Sequence, residues 1–294
     1  MSLHVVILVH EHGALDDALY TMGDLASHWR ALGHRVTVAR GPRAVPHDAD
    51  FGILHVDATR IDPSYAAALA RCKATINAAT LDISKRRISS NLVRKGDGYT
   101  GPVIVKTDAN HAGVKEVDLA VARGGLPGLA LRIRNKLPWF CRTRLKLKDY
   151  RIFDSPGRVP WPVWMNRDLV VERLFTERRG SLFLLRCWLF FGDRGFAYEY
   201  ESDEPIITAR NVKRITFDKP IPDDLREFRR RLNFDFGKFD FVQIDGRSVL
   251  FDANRTPTDR ALRPCPGYAD RVKELSLGLA SLVHAPSLPP VLTA

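Results

Sequence analysis

The stretch "NFDFGKFDFVQIDGRSVLFDANRTPTDR", Asn233 to Arg260, reads as two short apolar strands joined by Asp245-Gly246, a dipeptide that favours tight hairpin turns. Among its Phe, Val and Leu residues stand three oxygen donors, Asp240, Asp252 and Asn254. Whether they can cooperate depends on register. With Asp245 and Gly246 as the two central residues of the turn, Ile244 faces Arg247 and Asp240 faces Phe251. The two carboxylates then fall on opposite faces of the ladder. A three-residue loop, Ile244-Asp245-Gly246, with Gly246 left-handed and a bulge, pairs Gln243 with Arg247 and Asp240 with Leu250 instead. That register gathers Asp240, Asp252 and Asn254 on one face, with Asp252 and Asn254 roughly 7 Å apart at ~3.4 Å per residue and Asp240 a diagonal neighbour. The three-residue turn is therefore the expected one. Two carboxylates and an amide, with no Cys or His nearby, suit Mg2+, a hard cation usually held by carboxylates together with substrate phosphates.

The rest of the chain sets the context for this hairpin. Its 294 residues, 45% hydrophobic and 27% charged, are enough to bury a sizeable core in one large domain or a few small ones. No apolar run reaches the ~20 residues that span a bilayer. The run "LFLLRCWLFF", Leu182 to Phe191, is too short and carries an arginine. "MSLHVVILVH" at the start has neither a basic flank nor a small-residue cleavage site, so it reads as a first strand and the expected location is cytoplasmic. Four scattered cysteines, Cys72, Cys141, Cys187 and Cys265, contain no CxxC pair and argue against a disulfide framework or a structural zinc site. The net charge of +11 is compatible with nucleic acid, an anionic surface or a polyphosphate partner. It is concentrated in "SKRRISSNLVRK", "LRIRNKLPWFCRTRLKLK" and "LREFRRRL", where basic residues alternate with hydrophobic ones as on helix faces. No nucleic-acid-binding pattern accompanies them, so neither nucleic acid nor membrane is an expected partner.

Along the chain, "HVVILV", an amphipathic stretch with Leu25, Trp29 and Leu32 ended by Gly33, then "RVTVAR" and "ADFGILHVD" alternate strand and helix. That is the pattern of a parallel, doubly wound sheet. No GxGxxG follows the first strand, so this part lacks a dinucleotide fingerprint. A basic helix is expected after Thr80, then a strand in "GPVIVK" ending on Lys106, then the small polar loop "DANHAG". The segment from Arg123 to Pro162, with "ARGGLPG" and "DSPGRVPWP", is expected to be irregular. Strands return in "DLVVERLF", "SLFLLRCWLFFGD" and "GFAYEYE", followed by the helix "DDLREFRRRLN", the hairpin, and a closing helix in "GYADRVKELSLGLASLV".

Three of these segments, "GPVIVK", "LVVERLF" followed by "LLRCWLFFGD", and the hairpin, stand in an order and spacing that resemble the ATP-grasp superfamily of carboxylate-amine ligases, of the RimK, glutathione synthetase and D-alanine–D-alanine ligase type. The resemblance spans roughly Lys85 to Thr258. It implies an α/β fold, α+β in the grasp part: a Rossmann-like pre-grasp domain over residues 1–82, a first grasp lobe over 83–167, a second over 168–285, and a Pro-rich tail over 286–294. Carried over residue by residue, it makes Lys106 a ligand of the ATP α- and β-phosphates and Lys85, or its neighbour Arg86, a second cation. Glu172, Arg173 and Leu174 join the adenine-reading linker, and Glu177 becomes a partner for the ribose. Arg186 and Arg255 are the cations on the transferred phosphoryl group or on the substrate carboxylate, and Asp240, Asp252 and Asn254 hold Mg2+, with Mn2+ allowed in its place. Arg210-Asn211 resembles the segment that shapes the acceptor site. One departure stands out: the family's final metal pair is Glu, one residue, then Asn, whereas this chain has Asp252-Ala253-Asn254.

The chemistry implied is ATP-dependent ligation, in which a carboxylate attacks the γ-phosphate and an amine then attacks the acylphosphate. Such a reaction asks for charge neutralisation and positioning rather than a protein nucleophile. The alternatives are a kinase on the same fold or an ATP-binding regulatory protein. Carboxylate and amine substrates, small molecule or peptide, are the expected partners, and a homo-oligomer is left open.

Overall fold

The computed structural model describes residues 2–16, 18–146, 149–258 and 260–283. The Pro-rich tail expected at 286–294 lies outside the described residues. The first unit is built from β1 (His4–Val9), α1 (Thr21–Ala31), β2 (Arg35–Arg40), β3 (Phe51–Leu54), α2 (Pro63–Leu69) and β4 (Ala74–Ile76). Its strands are all parallel, in the order β2-β1-β3-β4. Every residue of β1 is buried, as its unbroken apolar run requires of a central parallel strand. Val6 and Leu8 pack with Tyr65 and Leu69 of α2, and Val5, Ile7 and Val9 pack with Leu25 and Trp29 of α1. Gly33, at φ +84°, supplies the left-handed residue that stops α1.

The chain then runs through α3 (Lys85–Ile88), β5 (Val103–Thr107), α4 (Val114–Arg123), α5 (Gly125–Arg134), β6 (Arg151–Phe153), α6 (Trp161–Met165) and β7 (Leu169–Arg173). β5 is the centre of a three-stranded antiparallel sheet, β6-β5-β7. Two expectations are corrected here. The basic helix is a single turn, because the side chain of Lys85 turns inward and is buried instead of continuing a solvated face. The segment after Arg123 is not irregular throughout: α5 forms across its Gly and Pro residues, with Pro127 in the first turn where its missing N–H costs nothing.

The last unit contains β8 (Glu177–Arg179), β9 (Leu182–Phe191), β10 (Arg194–Ser202), β11 (Arg214–Phe217), α7 (Asp223–Arg231), β12 (Phe236–Ile244), β13 (Arg247–Asn254), α8 (Tyr268–Ser276) and α9 (Leu279–Val283). Its sheet runs β11-β10-β9-β12-β13, with β8 also on β9. Alternation along β9 sorts its side chains. Cys187, Leu189 and Phe191 join the core shared with α1, while Trp188 and Phe190 face Leu225 of α7 and Phe239 of β12. Trp29 of α1 donates its indole N–H to the Ser276 carbonyl of α8 at 2.9 Å, which fastens the first unit to the last.

The hairpin corrects the sequence expectation in an instructive way. Ile244 pairs with Arg247, so the turn has two central residues, Asp245 at φ +50° and Gly246 at φ +75°, both left-handed as a type I′ turn demands. The bulge is not in the turn but in the strand. Phe241 pairs with Leu250, and Asp240 pairs with Asp252, leaving Phe251 as the extra residue on β13. One inserted residue changes the parity of everything beyond it. Asp240 and Asp252 are therefore direct cross-strand partners on one face, with Lys238 opposite Asn254 two steps along.

Candidate functional site

Between the β6-β5-β7 sheet and the six-stranded sheet lies a cavity of about 360 Å³, a size suited to a small ligand. One wall is apolar, made by Ile104, Leu174, Phe175, Leu185, Ile206 and Phe251. The linker from Arg173 to Thr176, which joins the two sheets, lines its edge. The lining also includes Lys85, Lys106, Lys238, Asp240, Asp252 and Asn254.

Strand alternation positions these groups. On β5, Val103 and Val105 pack inward, so Ile104 and Lys106 face the cavity. Ile104 pairs with Glu172 on β7, and Lys106 Nζ lies 2.9 Å from Glu172 Oε2, whose side chain is 1% exposed. Neither carboxylate oxygen of Glu172 receives an aligned hydrogen bond from a described residue, so the pairing is one of charge. Phe251, the bulge residue, places its ring 4.9 Å from Lys106 Nζ and so brings the two sheets together across the cavity. Lys85 reaches from α3 to Asp252 Oδ1 at 3.5 Å. Burial opposes the charge on Lys85, yet Asp252, Tyr150 and Glu172 outweigh it and hold its pKa above the ordinary lysine value.

Lys238 escaped the sequence reading. It stands two residues before Asp240 on β12, hence on the same face, and its Nζ lies 2.9 Å from Asp240 Oδ1. The signal was legible: a lysine at i−2 from a proposed ligand points into the same site. Here too burial is outweighed by the neighbouring carboxylate, and the pKa of Lys238 is raised.

The two arginines expected at the phosphoryl group stand elsewhere. Arg186 pairs with Phe241 and Glu199 in the ladder, on the face opposite Asp240 and with Trp188. Its guanidinium is held by Glu177 at 2.5–3.0 Å and by Glu199 at 3.3 Å. The anion that such a buried guanidinium requires is thus supplied by the protein. Glu177, expected at a ribose, does line the cavity, where its carboxylate accepts from Arg186 and from the Gln243 N–H at 2.8 Å. Arg255 is completely buried. It donates to the carbonyls of Thr80 at 2.5 Å and of Ala58, tying the end of β13 to the first unit, and burial lowers its pKa to about 10. Glu172 offers its side chain to Lys106 while its backbone is paired with β5. Arg173 and Leu174 line the cavity, as do Thr208 and Ala209, whereas Arg210 is exposed and Asn211 folds back on Thr208.

The fit of Mg2+ to the hairpin can be tested on its donors. Asp240 carries Lys238 and Asp252 carries Lys85. The Asn254 amide oxygen already accepts from the Thr256 N–H at 2.9 Å and lies 3.2 Å from its hydroxyl. Among the described residues no group of three or more His, Cys, Asp or Glu side chains is placed to hold a metal ion. Each carboxylate is thus charge-paired by an ammonium and the Asn254 oxygen is engaged, so a resident metal ion does not fit the set, although Asp240 Oδ1 itself receives no aligned hydrogen bond from a described residue. No described helix is long and apolar enough to cross a membrane.

No family model matches the sequence, and no curated protein does. Solved structures similar to it include a RimK domain protein ATP-grasp from Sphaerobacter thermophilus, 13% identical, with a TM-score of 0.49 over 95% of this chain and 99% of that one. Another is a RiPP-associated ATP-grasp ligase from Chryseobacterium gregarium, solved with ADP and a leader and core peptide, 10% identical, TM-score 0.48, over 97% of this chain and 98% of that one. A third is a D-alanine–D-alanine ligase from Bacillus anthracis, 12% identical, TM-score 0.42, over 96% of both chains. At such low identity and TM-scores these likenesses by themselves assign neither fold nor function.

Proposed function

We propose that the chain is an ATP-grasp enzyme that uses ATP to join a carboxylate to an amine. The observation that carries the nucleotide part is the cavity itself. Two sheets enclose a partly apolar cavity, and lysines from three separate elements, Lys85, Lys106 and Lys238, line it. An apolar wall suits a base, and ammonium groups suit a polyphosphate as point charges. The order of segments in the sequence adds the ligase chemistry.

In this reading the carboxylate of the first substrate attacks the γ-phosphate of ATP, breaking the bond to the β-phosphate oxygen and releasing ADP. The amine then attacks the acylphosphate carbonyl, expels phosphate and loses a proton as the amide forms. The chain's contribution is to place the reactants and to offset charge building on the transferred phosphoryl group. Lys106 and Lys85 supply that charge, since Arg186 and Arg255 are engaged elsewhere. Magnesium would enter with the nucleotide as part of the substrate, and no step is assigned to an ion held by the hairpin.

Calorimetric titration with ATP tests the first half, and ADP formation that depends on both a carboxylate and an amine tests the second. Lys106→Ala with Glu172→Gln, which removes the cation without stranding a buried carboxylate, should weaken nucleotide binding by roughly tenfold or more. A wild-type protein that binds no nucleotide overturns the reading. Stable transfer of phosphate to a hydroxyl, with no second step, would make the protein a kinase instead.

A further inference from the structure

Two facing carboxylates at the end of a polyphosphate pocket would ordinarily suit divalent ions, one on each side of the transferred group. Here Asp240 and Asp252 face each other across the hairpin, yet each already has an ammonium beside it. The two pairs are not alike. Lys85 comes from a different element and meets Asp252 at 3.5 Å, at the outer limit of a hydrogen bond. Lys238 belongs to the same strand as Asp240, two residues away on the same face, and meets it at 2.9 Å. Its stem lies on a rigid central strand between β9 and β13, beside Cys187 and Tyr200, and its side chain is 16% exposed. It cannot swing out to solvent without leaving Asp240 behind. A divalent ion on Asp240 would have to displace this ammonium and then sit beside it, two like charges in a partly buried site.

The ammonium is not used up by its partner. It carries three donors, and a single carboxylate oxygen 2.9 Å away can take only one of them, which leaves the others for an oxygen in the cavity. We propose that Lys238 is a resident cation standing where Asp240 would otherwise hold a divalent ion, so that this pocket takes a nucleoside polyphosphate with one accompanying metal ion rather than two, and with Lys238 on its phosphate oxygens. The inference rests on the nucleotide reading above. It makes Lys238 a binding residue, and it keeps any ion that arrives with the nucleotide off Asp240.

Manganese binding, read from the electron paramagnetic resonance signal of the free ion, tests this directly on the full chain. With saturating ADP the wild type should take up one Mn2+ per chain, and with Mn2+ alone none. Lys238→Met frees Asp240 and should gain one ion, a change that a damaged fold would not produce. The pair Lys238→Met with Asp240→Asn should return to the wild-type number, locating the gained ion on Asp240. In the presence of a chelator, Lys238→Met should bind ADP roughly tenfold or more weakly than the wild type. Two ions on the wild type with ADP, or no gain in Lys238→Met, overturns the inference while leaving the nucleotide reading intact. If ADP binds to none of these proteins the nucleotide reading fails, and the titrations with Mn2+ alone still decide whether Lys238 keeps an ion off Asp240.

Discussion

Asp240 stands directly opposite Asp252 because Phe251 is one residue too many for the strand that carries it. Without that insertion a hairpin with a two-residue turn would send Asp252 to the other face. The same insertion turns the Phe251 ring toward Lys106, so one irregularity both assembles the acidic pair and brings the second sheet against the first. Lys85 completes the arrangement from α3, with only 5% of its side chain exposed.

Asp252 should therefore matter for stability before it matters for chemistry. Asp252→Asn leaves the Lys85 ammonium buried without its counter-charge, and we expect a loss of about 1–3 kcal/mol in urea unfolding, since Asp252 itself is partly exposed. Asp252→Glu keeps the charge and should cost less than about 1 kcal/mol. Equal losses for the two variants would mean that shape, and not charge, is what Lys85 responds to.

Arg186 gives the opposite test. Because it lies on the far face of the sheet, Arg186→Met should leave nucleotide affinity unchanged while lowering stability by about 3 kcal/mol. The loss falls on Glu177, which keeps only the Gln243 N–H, whereas Glu199 retains Arg179 at 2.7 Å. Burial raises the Glu177 pKa, but Arg186 and the Gln243 N–H outweigh it and hold the carboxyl below its ordinary value. That stability is present above the unfolded carboxyl pKa and is lost as pH falls through the folded one. In Arg186→Met the acid limb of the stability curve should be shallower. A variant that folds as stably as the wild type yet fails to bind nucleotide would return Arg186 to the site.

What the sequence disclosed and what it concealed follow from range. The family resemblance singled out Lys106, strand alternation put the hairpin carboxylates on one face although through the wrong turn, and a continuous apolar run marked β1. The position of a bulge is set by packing on both sides of the strand, so the sequence could locate the extra residue in the turn or in the strand with equal local consistency. Arginine was misread for a related reason. Arg186 and Arg255 both needed a partner, and their partners, Glu177 and Glu199 in one case and the Thr80 and Ala58 carbonyls in the other, become neighbours only when strands pair and units dock. Lys238 was overlooked beside the acid that it neutralises, although its spacing from Asp240 announced a shared face.

The loop after β5 holds His111 and Ala112 at φ +45° and +59°, immediately before Gly113 at +71°. Two non-glycine residues in the left-handed region strain a loop that borders the cavity beside Lys106. Ala112→Gly relieves the steric part at a buried position, and we expect a net gain of about 0.5–1 kcal/mol in equilibrium unfolding after the added freedom of the unfolded chain is counted. A loss of stability would show that the Ala112 methyl packs more strongly than its backbone is strained.

His55 makes the sharpest prediction about pH. It is 2% exposed, lies edge-on to Tyr20 with ring centroids 5.2 Å apart and near Phe236, and neither ring nitrogen has a hydrogen-bond partner among the described residues. Burial drives its pKa down to about 4, with Asp57 opposing and Arg255 reinforcing the shift. The unfolded chain takes up the proton near pH 6.5, and the folded protein only near 4. Between those limits the unfolded state binds more protons, so the stability contributed is whole above about pH 6.5 and falls as the pH is lowered, by about 3 kcal/mol once pH 4 is reached. His55→Phe keeps an aromatic ring against Tyr20 and Phe236 and has no proton to gain. Its stability should change by correspondingly less than the wild type's across the same window, in urea titrations at a series of pH values. A wild type and a variant that decline in parallel would mean that His55 charges in place, and that the cost of the buried ring is met by groups other than those that face it.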